Sequence, residues 1–429
     1  MTIAAVVLIV SVIVFAIFGV PLVWALVLGC ICSVTAGGTL ESLPILAQRM
    51  FAGGLQYSML AIFFFVLAGA IMQYGGLSRR LVSFANSLVG HISGGASLVC
   101  VMACAFFAAI SGSAVATTAA IGGIMYLEVR RLGYPADYAG ALPAAAGVVG
   151  VIIPPSVLFI IYGNITGTSP GKLLMAGVIP GILGAVFMGM ICYVLAKRRN
   201  YPRNEKFEMK QVWTSFKEAF WALLMPVVIL GGIYSGIFTP TESGVVAAGY
   251  GLVCAIFIYR EMTWELFVKV VKESCRTTGN VMILCMAAGA LSYLLTIYQI
   301  PASLSAFLIA SVSNKFTFMF GVVILLLFLG MFMDVGASIL ILGPLLAPVA
   351  AAFGIDPIQF GLIFVFSMAI GQATPPFGTD LFVVCGFSGR AVMDVGKHSL
   401  VFCTALVAVI ILCIFFPQVA TFLPGFMSA

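Results

Sequence analysis

The chain has 429 residues, of which 62% are hydrophobic and only 8% are charged. A soluble protein of this size carries roughly a quarter charged residues, so this chain has too few charges to cover the surface of a soluble domain. The composition therefore excludes a soluble globular enzyme, a disordered chain, a collagen-like fibre and a nucleic-acid-binding protein. Outer-membrane barrels are also excluded, because their strands alternate apolar and polar residues. What remains is an all-α, polytopic protein of the lipid bilayer.

The first half, residues 1–196, predicts a series of apolar segments. Two short spans within 3–36 are separated at Gly19-Val20-Pro21, and an amphipathic stretch at 40–52 precedes a span at 56–77. The next segments are 94–127, interrupted at Ser111-Gly112-Ser113, then 137–163, interrupted at Pro154-Pro155, and a span at 173–196.

A basic linker at 197–217 divides the chain, and the second half, 218–429, repeats the pattern. Spans at 218–238 and 243–259 precede an amphipathic stretch at 262–277. The remaining segments are a span at 279–298, an interrupted segment at 303–350 (break at Met333 to Gly336), a second interrupted segment at 358–386 (break at Pro375-Pro376) and a last span at about 400–423.

The two halves align at an offset of 221 residues. The aligned pairs are Thr117 with Ser338, Gly133 with Gly354, Gly140 with Gly361, and Pro154-Pro155 with Pro375-Pro376. Such a register indicates an internal repeat.

Basic residues indicate that the two repeats have opposite orientations. Arg79, Arg80, Arg130 and Arg131 flank the first interrupted segment, and their counterparts in the second half are not basic. Conversely, the second amphipathic stretch is the more basic of the two. By the positive-inside rule, equivalent loops then lie on opposite sides of the membrane, as in inverted-repeat transporters. We expect the linker to be cytoplasmic.

The interrupted segments 94–127 and 303–350 predict re-entrant hairpins. Segment 94–127 has about 34 residues, which is short for two full crossings of about 20 residues each. The alternative is that each is a pair of full spans. In a hairpin, the tips near Ser111–Ser113 and Asp334 would lie near the middle of the membrane.

Oxygen atoms at these breaks predict cation binding. The tip at Ser111–Ser113, with Thr117 and Thr118, offers hydroxyls and freed carbonyls, which suit a hard cation. Each Pro-Pro pair removes backbone donors, so the carbonyls before it lose their partners. The helix that follows points its N-terminus inward and suits a carboxylate, to which Ser156 would donate.

Charged and titratable residues at membrane depth are few. Asp334 lies inside an apolar run and needs a cation, a proton or helix N-termini as its partner. Asp380 is a second intramembrane acid, for which a functional and a structural role stay open. His91 and His398 are the only histidines, and we expect them to pack at the interface.

Several motifs resemble the large membrane subunit of tripartite ATP-independent periplasmic (TRAP) transporters. They are found at Ala109–Thr117, Ile153–Ser156, Trp221–Pro226, Leu230–Glu242, Leu329–Asp334, Gly354–Pro357 and Gly371–Pro376. The similarity extends over the whole chain. It implies sodium-driven uptake of an organic acid, delivered by a periplasmic binding protein, across the bacterial inner membrane. It also implies an elevator-type fold and a small membrane subunit on a separate chain.

The resemblance also implies site residues. One sodium site would use Ser111, Gly112 and Ser113 with Gly150 to Ile153. A second would use Asp334, Gly336 and Ser338 with Gln372 to Thr374. Ser111, Ser156 and Asp334 would line the substrate pocket. The family asparagine after the second Pro-Pro is replaced here by Asp380.

The substrate and the class of transporter have alternatives. We favour sialic acid as the substrate and at least two coupled sodium ions, with C4-dicarboxylates as the alternative substrate. A stand-alone sodium–carboxylate symporter is the rival transporter, and a channel is disfavoured by the paired inverted breaks. An intramembrane hydrolase is excluded, because no HExxH motif and no serine–base pair occur.

Overall fold

The computed structural model describes residues 3–38, 40–199, 201, 207–312 and 314–427. Within these ranges the regular secondary structure is helical and includes no strand, which confirms the predicted all-α class. Seven helical segments of the described chain are long and apolar enough to cross a membrane, or nine if each of two bent helix pairs is one span. The chain is therefore a multi-pass membrane protein.

The first half forms α1 to α12. Their bounds are α1 Ile3–Ile17, α2 Leu22–Ala36, α3 Leu43–Gly54, α4 Leu60–Tyr74, α5 Leu77–Val89, α6 Gly95–Ser111, α7 Ala114–Arg131, α8 Ala136–Gly147, α9 Val149–Ile152, α10 Val157–Thr166, α11 Pro170–Ala176 and α12 Val178–Arg199. The predicted break between α1 and α2 is present, because Gly19 adopts φ +77° and Pro21 cannot continue a helix.

The second half forms α13 to α22. Their bounds are α13 Met209–Tyr234, α14 Pro240–Val253, α15 Trp264–Ile297, α16 Ile300–Ser311, α17 Lys315–Gly330, α18 Val335–Ala352, α19 Pro357–Gln372, α20 Thr379–Ser388, α21 Val392–Phe415 and α22 Gln418–Gly425. The predicted span at about 400–423 in fact begins earlier and divides into α21 and α22. A capping box at Thr239 and Glu242 starts α14, since each residue satisfies the other's backbone N–H.

Two predicted segments in the second half form one helix. The stretch at 262–277 and the span at 279–298 are joined in α15, a single helix of 34 residues. No proline interrupts this sequence, and a Cβ atom at Gly279 would meet nothing within 4 Å. The change from a polar to an apolar surface therefore does not mark the end of a helix.

The second hairpin is shorter than the predicted 303–350. Residues 303–311 belong to α16, and the hairpin consists of α17 and α18. Asn314 ends the preceding connection and caps α17, since its Oδ1 accepts a hydrogen bond from the Phe316 N–H at 2.8 Å. Lys315 is the only charged residue between Gln299 and Asp334, so the sequence did not mark this boundary clearly.

The predicted linker at 197–217 is also shorter. Helix α12 continues to Arg199 and α13 begins at Met209, so Lys210 and Lys217 lie on a helix. Residues 200 and 202–206, with Arg203 and Lys206, lie outside the described residues.

Helix boundaries recur at the offset of 221 residues that the sequence suggested. Helices α7 and α18 begin and end at equivalent positions, and both follow a side chain that caps them, Ser113 and Asp334. Helices α8 and α19 begin at equivalent positions as well. The pattern of breaks is therefore repeated in the structure.

Most helices fall into two packed groups. The frame helices are α1 to α4 and α13 to α15, and the broken-helix group is α6 to α12 and α17 to α21. Helix α5 packs on both α6 and α13, and α16 packs on both α18 and α15, so these two helices connect the groups.

Candidate functional site

A cavity of about 220 Å³ lies where all four breaks meet the frame helices. Both hairpin tips contribute to its wall, through Gly112 and Ser113 on one side and Asp334 and Gly336 on the other. Residues beside both Pro-Pro breaks, including Gln372, complete this side of the wall. The breaks are far apart in the sequence, and the fold brings them to one place.

The first hairpin tip is held by hydroxyl groups. Gly112 reverses the chain with φ +65°, and Ser113 caps α7 by accepting a hydrogen bond from the Ala116 N–H at 3.3 Å. The Thr117 hydroxyl lies 2.8 Å from the Ser111 hydroxyl and 2.8 Å from the Ser113 carbonyl. The Thr117 hydroxyl thus brings together the Ser111 hydroxyl and the Ser113 carbonyl on the two sides of the reversal.

The first Pro-Pro break packs directly on this tip. A Cβ atom at Gly112 would lie 2.6 Å from the Pro155 carbonyl oxygen, and one at Gly150 would lie 2.5 Å from the Thr117 hydroxyl. Only glycine fits at these two contacts. Beyond the break, Ser156 caps α10 by accepting a hydrogen bond from the Phe159 N–H at 3.4 Å. Hydroxyls of the tip and carbonyls of the break are therefore neighbours.

The second hairpin tip has the same construction with a charged cap. Asp334 accepts a hydrogen bond from the Ala337 N–H at 3.3 Å, and the Ser338 hydroxyl donates to the Asp334 carbonyl at 3.0 Å. Thr117 and Ser338 are equivalent in the repeat, and each donates to the carbonyl of its capping residue. Unlike most intramembrane acids, Asp334 is exposed, because it faces the cavity.

The second Pro-Pro break packs on the second hairpin in turn. The Thr374 hydroxyl donates to the Gly371 carbonyl at 2.8 Å. A Cβ atom at Gly371 would lie 2.4 Å from Cα of Gly330, the last residue of α17. Pro376 has no N–H, so the Gln372 carbonyl lacks its donor four residues on. Both Pro-Pro bonds are cis.

The structure places the predicted site residues in two layers. Five line the cavity, namely Gly112, Ser113, Asp334, Gly336 and Gln372. The others lie behind the lining and are almost fully buried, namely Ser111, Ser156, Gly150, Ile153, Ser338 and Thr374. Ser111 and Ser156, which we predicted for the substrate pocket, do not line this cavity, whereas Ser113 does.

Four residues that line the cavity could not be predicted from the sequence. Val66 of α4 and Thr277, Val281 and Leu284 of α15 face the hairpin tips across the cavity. These residues lie inside uninterrupted frame helices, where neither a break nor a charge marks them. Their position follows only from the packing of the frame against the broken-helix group.

The electrostatics of the cavity suit an anion together with a cation. Among the described lining residues, Asp334 carries the only charge, and none is basic. The N-termini of α7 and α18 begin at the cavity, and each presents backbone N–H groups and a partial positive charge. An anion would be held by these N-termini, and a cation by the carboxylate, hydroxyl and carbonyl oxygens.

A second cavity of about 330 Å³ lies further along the same helices. Thr166 near the end of α10, Ser292 and Thr296 of α15, and Pro344 of α18 are among its lining residues. The two cavities therefore follow one another along the boundary between the frame and the broken-helix group.

Comparison with known proteins gives a family match over nearly the whole chain. Residues 9–419 match the family described as "Tripartite ATP-independent periplasmic transporter, DctM component". The chain is 39% identical to the C4-dicarboxylate TRAP transporter large permease protein DctM of Pseudomonas aeruginosa, over 90% of this chain and 91% of that protein. It is also 39% identical to the 2,3-diketo-L-gulonate TRAP transporter large permease protein YiaN of Escherichia coli, over 93% and 94%.

A further relative and a solved structure complete the comparison. The sialic acid TRAP transporter large permease protein SiaM of Vibrio cholerae is 37% identical over 88% of each chain. The crystal structure of the YdaH transporter of Alcanivorax borkumensis superposes with a TM-score of 0.62, over 91% of this chain and 89% of that one, at 15% identity. The last similarity shows a shared fold.

Proposed function

Because the chain belongs to the DctM family of tripartite ATP-independent periplasmic transporters, we propose that it carries an organic acid and sodium ions together through the cavity between its frame and its broken-helix group. The family consists of transporter permeases and not of enzymes. The observation that carries the proposal is the meeting of two helix N-termini and two Pro-Pro breaks in a single cavity.

Sodium is proposed as the coupling ion because of the ligand chemistry. The first site would use oxygens of Ser111 to Ser113 and the carbonyls of Gly150 to Ile153, and the second those of Asp334, Gly336, Ser338, Gln372 and Thr374. Hydroxyl, carbonyl and carboxylate oxygens suit hard cations. Two sodium ions beside the cavity would also offset the charge of Asp334 and of the bound acid.

The movement proposed is an elevator. The broken-helix group would slide along the frame and carry both hairpin tips with it. The basic start of α15 (Lys269, Lys272, Arg276) orients that end toward the cytoplasm. The second cavity, near the other end of α15, then lies on the periplasmic side and gives a route to the first.

The proposed partners follow from the family. Its large permeases work with a substrate-binding protein and usually with a small membrane subunit. Here we propose that the binding protein is periplasmic, that the small subunit is a separate chain, and that the assembly lies in a bacterial inner membrane.

Three classes of organic acid are candidates for the transported substrate. Relatives of similar identity are named for C4-dicarboxylates, 2,3-diketo-L-gulonate and sialic acid. Sialic acid is our specific candidate, and the similarities to these three relatives do not separate it from the other two.

Uptake by proteoliposomes tests the proposal. The chain, its small subunit and the cognate binding protein are assayed with labelled sialic acid, malate, succinate and 2,3-diketo-L-gulonate. We expect accumulation of one acid under an inward sodium gradient and none when choline replaces sodium. Uptake that is equal in sodium and choline would overturn sodium symport, and accumulation of malate alone would overturn the sialic acid assignment.

A further inference from the structure

Asp380 is a buried acid that the proposed transport site does not use. It lies in the first turn of α20 and is 0% exposed, and neither of its carboxyl oxygens has a hydrogen-bond partner among the described residues. The hydroxyl of the preceding residue, Thr379, is also buried and has no hydrogen-bond partner in the part of the chain that the structure describes. Asp334 differs from Asp380 in exposure, since it faces the cavity, and in hydrogen bonding, since its carboxylate accepts the Ala337 N–H at the start of α18.

Buried polar groups in native proteins are almost always hydrogen-bonded. A carboxylate at membrane depth is expensive unless a positive charge accompanies it. The described part of the chain forms five ion pairs, and none of them includes Asp380. Arg390, at the other end of α20, is already paired with Asp137 at 2.6 Å.

The helices around Asp380 bring no basic group to it. Helix α20 packs on α7, α8, α19 and α21. Helix α19 has no charged residue. The charged residues of α7 lie near its C-terminal end, at Glu128, Arg130 and Arg131, and that of α8 lies in its first turn, at Asp137. Helix α21 has its charged residues, Asp394 and Lys397, and its histidine, His398, in its first turns.

Oxygen atoms, in contrast, are close to the start of α20. A Cβ atom at Gly378, two residues before Asp380, would lie 2.3 Å from the Gln372 carbonyl oxygen and 2.8 Å from that of Thr374. Pro376 removes the N–H that would otherwise bond to Gln372. The Gln372 and Thr374 carbonyls therefore lie against Gly378, and the buried Thr379 hydroxyl and Asp380 carboxyl follow it directly in the chain.

We propose that Asp380, whose carboxyl does not line the cavity beside Asp334, binds one monovalent cation, Na⁺ or a proton, in addition to the ions proposed at the two hairpin tips. The cation supplies the missing positive charge and fills the hydrogen-bonding capacity of the two buried side chains. Since α20 belongs to the broken-helix group, this cation travels with the substrate, so the inference deepens and rests on the proposed symport.

Thermal unfolding of the purified chain tests this without a transport assay. A cation that binds only the folded chain raises the melting temperature as its concentration rises, and the slope against the logarithm of concentration reflects the number bound. The slope is measured for the wild type, Asp380→Asn and the matched control Asp394→Asn, an acid of α21 that is half-exposed beside Lys397. NaCl is varied against choline chloride at fixed pH, and pH is varied at fixed NaCl.

Each outcome decides the question. If Na⁺ is the cation, the slope of melting temperature against the logarithm of NaCl concentration is smaller for Asp380→Asn by the amount that one bound ion contributes. Asp394→Asn keeps the wild-type slope. If a proton is bound, the folded wild type holds one more proton than the unfolded chain, so its stability falls as pH rises, and Asp380→Asn loses that dependence. Equal slopes in both titrations for the wild type and Asp380→Asn would overturn the site.

Two additions keep the test decisive. Should Asp380→Asn not fold, Asp380→Ser replaces it in both titrations, with the same three outcomes. Uptake by the wild type separates this inference from the proposed function: sodium-dependent uptake with unchanged slopes in the variant rejects the Asp380 site alone. Sodium-independent uptake rejects the symport, whatever the slopes.

Discussion

Ser113 and Asp334 occupy equivalent positions in the repeat, and both cap a helix that starts at the cavity. One cap is neutral and the other is charged. The two tips therefore have the same backbone construction and different electrostatics. A cation bound near Asp334 gains a full opposing charge, whereas one at the first tip meets only hydroxyl and carbonyl oxygens.

Asp334→Asn should fold and fail to transport. The amide oxygen still accepts the Ala337 N–H, so the loss of stability stays at about 1 kcal/mol or less, but the charge that we propose binds sodium is gone. The matched control is Asp356→Asn, because Asp356 also caps an apolar helix and is not among the residues lining the cavity. Initial uptake rates and melting temperatures are compared. Wild-type uptake by Asp334→Asn would remove Asp334 from the site.

Gly112→Ala should destabilise the first hairpin tip in two ways, through the backbone conformation and through a steric contact. Alanine at φ +65° costs roughly 1–2 kcal/mol, and its Cβ would also meet the Pro155 carbonyl at 2.6 Å. Gly133→Ala is the control, because Gly133 has φ +84° and open space around it. We expect both variants to lose stability and only Gly112→Ala to lose transport. Equal effects on uptake would show that the contact with the break is unimportant.

The sequence predicted the position of both hairpin tips and not which side chain of each tip faces the cavity. Hydroxyls beside a glycine marked Ser111 to Ser113, and an acid in an apolar run marked Asp334. The direction of each side chain depends on the turn at Gly112, which puts Ser113 on the surface and Ser111 against Thr117. Such a turn cannot be resolved from residue types alone.

At the scale of elements, helix breaks were predictable where proline or glycine forces them. Both Pro-Pro breaks and the break between α1 and α2 lie where predicted. The boundary between α16 and α17 was missed, because its few polar residues, from Ser311 to Lys315, lie inside a long and mainly apolar segment and include neither proline nor glycine. The continuity of α15 was also missed, since a change in polarity resembles the end of a span although the helix continues.

Close packing of α17 on α19 gives an element-scale prediction. Gly330 ends α17, and a Cβ atom there would lie 2.6 Å from the Met368 carbonyl oxygen. Gly330→Ala should force the helices apart and lower both the melting temperature and uptake. Gly321→Ala, on the same helix with open space around it, should be neutral or stabilising by up to about 1 kcal/mol. If the two variants melt alike, the close contact does not hold the second hairpin in place.

At the scale of the whole molecule, the 220 Å³ cavity lies on the boundary between two groups of helices, which no single segment of the sequence predicts. The frame helices supply Val66 and Thr277, and the broken-helix group supplies the tips. The repeat and its opposite orientation were readable from matched prolines and from unmatched arginines. Which frame residues face the tips depends on how the groups pack, and long-range packing of uniformly apolar helices leaves little trace in the sequence.

One hydrogen bond joins the two groups and should report on their relative movement. The Ser58 hydroxyl, just before α4, donates to the Asn164 side chain of α10. Ser58→Ala should weaken the present arrangement by about 1 kcal/mol, a shift of roughly fivefold in population. Thr241→Val is the control, because that hydroxyl bonds to Tyr57 within the frame. Spin-label distances between α4 and α10 should broaden only in Ser58→Ala, and unchanged distances would argue against sliding at this boundary.

The central claim is that sodium and the organic acid bind together where the four breaks meet. The most direct test is equilibrium binding of the transported acid to the purified chain at several sodium concentrations, together with sodium binding in its presence and absence. Sodium should raise the affinity for the acid, and the acid should raise the affinity for sodium by the same factor. An affinity for the acid that does not change with sodium would contradict the claim.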